Sequence, residues 1–243
     1  MLVFNNCMNY KSIHFSSIDS TNKYVKENFN VLDDFAFVSA DYQSRGKGRN
    51  DRVWLANKNE NLMFSLLLKN KNIIMDSFIS LVAAVSISEI VERYARNRVE
   101  IKWPNDIYIS DKKVAGILLE GRLPDYVVIG VGINVNQKEF VGEYRKEPTS
   151  LLLETGAEIN IDQLKESVYQ QMVSNLTEYT SNKEKFLGYF KNHNYLLNKN
   201  VSFVCNKQIF NGIVNGVDES FNIVIKNNGK EHHISSGEIE LIK

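Results

Sequence analysis

The clearest periodicity in the chain lies at residues 126–136. Val127, Ile129, Val131, Ile133 and Val135 are apolar at alternate positions, with Gly130, Gly132, Asn134 and Asn136 between them. Strand side chains point alternately to two faces, so one face is expected to pack on a core. The other face is shallow and carries amides. It suits a flat ligand, or a helix packed closely on two glycines. Shorter apolar runs predict strands at 10–15, 35–40, 62–68 and 113–121. Two more are expected to meet at Trp103-Pro104-Asn105-Asp106, where Pro104 interrupts the ladder. Phe78, Leu81, Val82, Val85, Ile90 and Tyr94 fall at helical spacing, in a helix opening at Asp76 or Ser77. Ile161, Leu164, Val168, Met172, Leu176 and Tyr179 do the same, and 149–154 and 186–195 read as further helices. Ser20, Thr21 and Asn22 are suited to capping a helix of about ten residues.

From Val201 the texture changes. Short alternating runs at 201–204, 209–217, 221–225, 232–234 and 239–242 are separated by Asn215-Gly216 and Asn227-Asn228-Gly229, both read as hairpin turns. The expected fold class is therefore α+β. A mixed-sheet domain over 1–197 precedes a small β-barrel over 198–243.

The stretch at 43–54 fits neither period. Arg45, Lys47, Arg49 and Arg52 crowd together with Gly46 and Gly48, and no apolar residue stands between Tyr42 and Val53. A loop of this kind brings cations and open backbone to an anion. Ser20, Thr21 and Asn22 likewise offer donors at a helix start, beyond any role as a cap.

Composition narrows the function classes. The 243 residues are 43% apolar and 24% charged, with 29 basic and 29 acidic side chains, so no whole-molecule basic field draws nucleic acid. Cys7 and Cys205 form no paired pattern and suit a reducing cytoplasm. His14, His193, His232 and His233 have no metal-ligand spacing, and no metal site is expected. The N-terminus lacks a basic segment before an apolar run, and 78–90 is too polar to span a bilayer, so neither a leader nor a membrane partner is expected. The sequence holds no Walker A loop; Gly46-Lys47-Gly48 and Gly130-Val131-Gly132 each lack the third glycine of a dinucleotide fingerprint.

Taken together, five segments resemble the motifs of biotin protein ligases, in the same order. They are Ser20-Thr21-Asn22; the loop Gly46-Lys47-Gly48-Arg49-Asn50-Asp51-Arg52; Lys102-Trp103-Pro104-Asn105-Asp106; Lys113-Val114-Ala115-Gly116-Ile117-Leu118; and Gly130-Val131-Gly132-Ile133-Asn134. Gly237-Glu238-Ile239 is similar to the end of that family's SH3-like barrel. The resemblance implies activation of biotin with ATP, accompanied by Mg2+, to biotinyl-5′-AMP, and transfer to one lysine of a biotin carboxyl carrier protein such as that of acetyl-CoA carboxylase. It implies that Ser20, Thr21, Asn22 and Gln43 surround the biotin head group, and that Lys47, Gly48 and Arg49 contact biotin or its adenylate. Lys113 would engage the carboxylate and phosphate with Gly116 giving room, Arg52 and Lys102 would serve ATP, and Asn134 would bond the adenine. Lys113, Arg49 and Lys102 are the expected catalytic residues.

Two positions depart from the family pattern. Lys47 stands where arginine is usual, which keeps charge but loses a bidentate fork, and Asp51 stands where a glycine is usual. About nine residues precede the first expected strand, so a DNA-binding domain, and DNA as a partner, are not expected. Many family members are dimers through the sheet, and a homodimer stays open here. Three other readings compete: a lipoate or octanoate ligase of the same fold, whose Arg-Arg-x-x-Gly-Gly segment is missing; a single-stranded nucleic-acid binder, which the scattered Lys207, Lys226 and Lys230 do not favour; and a catalytically dead biotin-binding regulator.

Overall fold

The computed structural model describes residues 2–4, 12–69, 77–122, 124–142, 144, 146–205, 208–235, 237 and 239–242. Cys7, Tyr10, Lys11, Asp76, Lys207 and Glu238 lie outside them, as do the side chains of Asp51 and Cys205.

In chain order, β1 (Leu2–Phe4), β2 (Ser12–Phe15), α1 (Thr21–Asn28), β3 (Phe37–Ala40), β4 (Asn61–Leu68), α2 (Ser77–Glu92), β5 (Val99–Lys102), β6 (Asp106–Ile109), β7 (Lys112–Arg122) and β8 (Tyr126–Asn134) build the larger layer. The strands form one sheet in the order β1-β2-β3-β4-β8-β7-β6-β5. Only β2 and β3 pair in parallel; the other neighbours are antiparallel. Next come α3 (Leu151–Thr155), α4 (Ile161–Glu178) and α5 (Lys183–His193).

The alternation in β8 decides what covers each face. Ile129, Val131 and Ile133 enter the main core with α2, α4 and α5, where Phe78, Leu164, Val168 and Phe186 are buried. Val128 faces the opposite way and packs with Val25 of α1, Val38 and Leu67. Beyond Val128 on that face the side chains shrink to Gly130 and Gly132, which leaves room for Asn22 at the start of α1 over Gly130 and for the Trp54 ring over Gly132. Paired residues share a face, so Ser65 and Met63 of β4 and Gly116 and Leu118 of β7 border the same strip. The strip exists because the sequence withholds bulk there.

The second layer is a five-stranded antiparallel sheet: β9 (Asn200–Cys205), β10 (Gln208–Val217), β11 (Ile223–Asn227), β12 (Lys230–Ile234) and β13 (Ile239–Leu241), in the order β12-β11-β10-β9-β13. This is the expected small β domain, with two local corrections. Asn215-Gly216 is no hairpin turn but a bulge inside β10, where Gly216 has φ +128° and the pairing with β11 shifts register. Phe221 has φ +63° and precedes β11 instead of opening it. Asn228 and Gly229, with φ of 47° and 76°, form the turn that does join β11 to β12. The two layers meet where the Trp103 indole N–H donates to the Phe221 carbonyl at 2.9 Å. Trp103 is thus a buried fastener between them.

Candidate active site

The glycine strip lies at the base of a cavity of about 910 Å³. All of the site residues expected from sequence line it: Ser20, Thr21, Asn22, Gln43, Lys47, Gly48, Arg49, Arg52, Lys102, Lys113, Gly116 and Asn134.

At one end a polar chain crosses from α1 to the sheet. Ser20 caps α1, its hydroxyl accepting from the Lys23 N–H. The cap therefore holds, and it places Thr21 and Asn22 over the strip. Gln43 Oε1 accepts from the Thr21 N–H at 2.7 Å and the Thr21 hydroxyl at 3.1 Å. Ser65 Oγ donates to Thr21 Oγ1 at 2.7 Å and also lies within reach of Asn22 Oδ1. With one proton it serves one of them at a time. The Asn22 amide donates to Glu120 Oε2 at 2.8 Å, and Lys26 pairs with the other oxygen of Glu120. Burial alone would raise the Glu120 carboxyl. The bonds from Lys26 and Asn22, with the charges of Lys26 and Lys47, outweigh it and hold the group below its ordinary value. Gly130 is required beneath this chain: a Cβ there would lie 2.2 Å from Asn22 Oδ1.

The cationic loop forms a folded hairpin. Gly48 N–H donates to Arg52 carbonyl oxygen at 2.7 Å, and Trp54 N–H to Gly46 carbonyl oxygen at 2.9 Å. A single helical turn, Arg49–Asp51, makes its tip, with Asn50 left-handed at φ 54°. Arg49 reaches across the cavity, one N–H to Asn105 Oδ1 at 3.3 Å and another to the Gly237 carbonyl at 3.1 Å. It ties the loop to the turn after β5 and to the small sheet together. The side chain of Trp54 follows the loop down onto the strip. A Cβ on Gly132 would come within 2.4 Å of the indole, and one on Gly116 within 3.0 Å of both the indole and the Lys113 ammonium.

At the other end cations collect. Lys113 pairs with Asp106 at 2.7 Å and stands 5.5 Å from the centre of the Trp54 ring. Asp106 therefore aims Lys113. Burial pushes the Lys102 ammonium below its ordinary value; the charges of Lys146 and Lys113 push the same way, and Asp106 and Glu240 oppose them. Asn134 donates its amide N–H groups to the Thr149 and Lys113 carbonyls at 2.9 and 3.5 Å. Its Oδ1, like the Trp54 indole N–H, is buried without a partner among the described residues. Buried polar atoms are rarely left so in a finished site. An unfilled acceptor and an unfilled donor beside a glycine-lined strip suit a planar ligand with edges of both kinds.

Sequence reasoning missed Ser65, Glu120, Trp54 and Lys146. Ser65 could have been found as the one hydroxyl in an otherwise apolar strand. The other three carry no local signal, since pairing register or loop course brings them in.

Comparison with known proteins agrees with this geometry. The model of the Biotin/lipoate A/B protein ligase family matches residues 14–134. The structure of biotin protein ligase from Aquifex aeolicus in complex with biotin and ATP matches with a TM-score of 0.87 at 30% identity, over 96% of this chain and 98% of that one. The bifunctional ligase/repressor BirA of Escherichia coli (strain K12) is 28% identical over 231 residues, which are 92% of this chain and 72% of that protein. The biotin–acetyl-CoA-carboxylase ligase of Mycobacterium tuberculosis is 32% identical over 124 residues, 49% of this chain and 46% of that protein. On fold, motif order and similarity along almost its full length, the chain belongs to the biotin protein ligase family.

Proposed function

We propose that the protein activates biotin with ATP to biotinyl-5′-AMP and transfers the biotinyl group to one lysine of a biotin carboxyl carrier protein, that of acetyl-CoA carboxylase or a related carboxylase. The observation that carries this reading is the polarity of the cavity along the strip. The lining side chains at Gly130 (Ser20, Thr21, Asn22 and Gln43) are uncharged, with the Glu120–Lys26 pair behind Asn22, whereas Lys113 lies at Gly116, opposite Gly132, and its charge reaches Lys102 together with that of Lys146. Biotin has that same polarity, with a neutral ureido ring at one end and a carboxylate at the other.

Gln43 spends its oxygen on Thr21, so it turns amide N–H donors to the ring. Ser20, Thr21 and Asn22 complete the polar lining that a buried ureido group requires. Lys113 and Arg49 face the carboxylate and α-phosphate, Lys102 and Arg52 the rest of the triphosphate, and Asn134 the adenine. Lys47 and Gly48 close the loop side, and Gly116 leaves room for Lys113 to lie across the strip.

In the first step a biotin carboxylate oxygen bonds to the α-phosphorus. The bond from that phosphorus to the β-phosphate oxygen breaks, and pyrophosphate leaves with the electron pair. The cations neutralise the gathering charge, and the loop excludes water from the mixed anhydride. In the second step the neutral amine of the acceptor lysine attacks the acyl carbon and AMP departs. Magnesium would add charge neutralisation at the phosphates. Asp106, Glu147 and Glu240 are the carboxylates among the cavity lining; Asp106 and Glu147 are paired with Lys113 and Lys112, so Asp106 and Glu240 would hold the ion only together with the phosphates, and no cluster of three potential metal ligands occurs among the described residues. That donor set suits an ion arriving with its nucleotide.

No helix among the described residues is long and apolar enough to cross a membrane. The testing experiment is pyrophosphate exchange into ATP. Exchange that depends on biotin and not on lipoate is expected, and lipoate dependence would overturn the reading.

A further inference from the structure

We infer that Lys146 forms, beside Lys102, the seat for the pyrophosphate group that leaves ATP; this rests on the ligase reading above. Lys146 belongs to the segment between β8 and α3, which has no part in the sequence motifs. That segment is clamped to the start of β7. Lys113 N–H donates to the Glu147 carbonyl at 3.0 Å, Thr149 N–H donates to the Lys113 carbonyl at 2.9 Å, and Lys112 pairs with Glu147 at 2.7 Å. The clamp carries Lys146 to the cavity wall. Its charge is felt there by Lys102, adding to the effect of burial and acting together with Lys113.

Three lysines from three separate segments thus converge on one end of the cavity. The ion pairs found among the described residues engage Lys113 with Asp106, but neither Lys102 nor Lys146. Lys146 lines the same cavity as Lys102 and adds repulsion to its burial, against the larger pull of Asp106. A polyanion placed between them turns that repulsion into attraction. Lys113 is already committed to Asp106 and to the centre of the strip. Lys102 and Lys146 are therefore left for the phosphates farther from the biotin carboxylate.

Pyrophosphate is absent from the second half-reaction, which supplies the test. The full chain is compared with Lys146→Met and Lys146→Arg in two assays: biotin-dependent exchange of labelled pyrophosphate into ATP, and transfer from synthetic biotinyl-5′-AMP to a purified carboxyl carrier domain. Lys146→Met should raise KM for both ATP and pyrophosphate about tenfold, the scale of one charge-assisted contact. KM for biotin and the transfer rate should stay at wild-type values, and Lys146→Arg should recover most of the loss. Unchanged KM values in Lys146→Met would overturn the inference, as would an equal loss in the transfer assay, which marks a structural role. Wild-type chain without biotin-dependent exchange would overturn the ligase reading and this inference with it. Wild-type exchange with an indifferent Lys146→Met overturns this inference alone.

Discussion

The two ends of the cavity are built on opposite principles. Over Gly130, donors and acceptors already answer one another: Gln43 with Thr21, Thr21 with Ser65, Asn22 with Glu120, Glu120 with Lys26. Beyond Gly132 the groups are left waiting. Asn134 Oδ1 and the Trp54 indole N–H lack partners among the described residues, and the Lys102 ammonium is held below its ordinary pKa by burial and by its fellow cations. A neutral head group gains most from a preset frame, because ordering costs are met in folding. A polyphosphate brings enough charge to organise cations that repel one another in its absence. On the ligase reading, the first end would be formed before binding and the second completed by it.

The severest way to break this contrast is to remove the cation that stands between the ends. Lys113→Ala should lower adenylation by about 10²–10³-fold, the usual cost of losing a preorganised charge contact. The fold should survive, because the side chain lies at the cavity wall and not in the core. Adenylation near the wild-type rate in a pre-steady-state assay would remove Lys113 from the chemistry.

How far the sequence already exposed this arrangement differs between the ends. The alternation at 126–136 was enough to place Gly130, Gly132 and Asn134 on one shallow face, and β8 bears that out. The motifs were enough to gather the expected residues into one cavity. Ser65 and Glu120 were not legible, because their role depends on the register that sets Ser65 opposite Gly130 and Glu120 opposite Val128. In the sequence Trp54 is no more than the last residue of the cationic stretch 43–54; its indole reaches the strip because the loop folds back on Gly46. Asn215-Gly216 misled, since a dipeptide that favours turns serves a bulge equally well when both flanks stay paired.

A sharper probe separates the ends by adding one methyl group to each. Gly130→Ala must displace Asn22, whose Oδ1 would lie 2.2 Å from the new carbon, and Gly132→Ala must displace the Trp54 ring, 2.4 Å away. Displacements near 1 Å in a site cost about 10²-fold. The first variant should lose that factor mainly in KM for biotin and the second mainly in KM for ATP. Equal effects on both substrates in both variants would mean that the ends are not independent.

The nucleotide end can also be interrogated without mutation. Asn134 has committed its N–H groups to Thr149 and Lys113, so it offers a base only an acceptor. Adenine presents an amino group, whereas hypoxanthine presents a carbonyl at the same position. An unmatched buried acceptor costs about 1–3 kcal/mol, so ITP should be used roughly 10-fold or more less well than ATP in kcat/KM. Equal use of both would place the base away from Asn134.

The smallest effect is a displaced pH limb. Lys102 must be protonated to attract phosphate, and its pKa in the folded chain is lowered, chiefly by burial. The alkaline fall of kcat/KM for ATP should therefore begin below the ordinary lysine range, and Lys102→Arg should move it upward, because arginine keeps its proton. The same lowered pKa has an opposite consequence for stability. Between the folded and unfolded values the unfolded chain binds more protons, so the contribution of Lys102 to stability rises with pH across that window. Below it the charged, half-buried ammonium is a liability. Lys102→Met should thus raise Tm at neutral pH while weakening use of ATP, and biotin binding, at the finished end of the cavity, should not change. A lower Tm in that variant would mean that Asp106 and Glu240 already compensate the buried charge, and that this end is less unfinished than its unpartnered atoms imply.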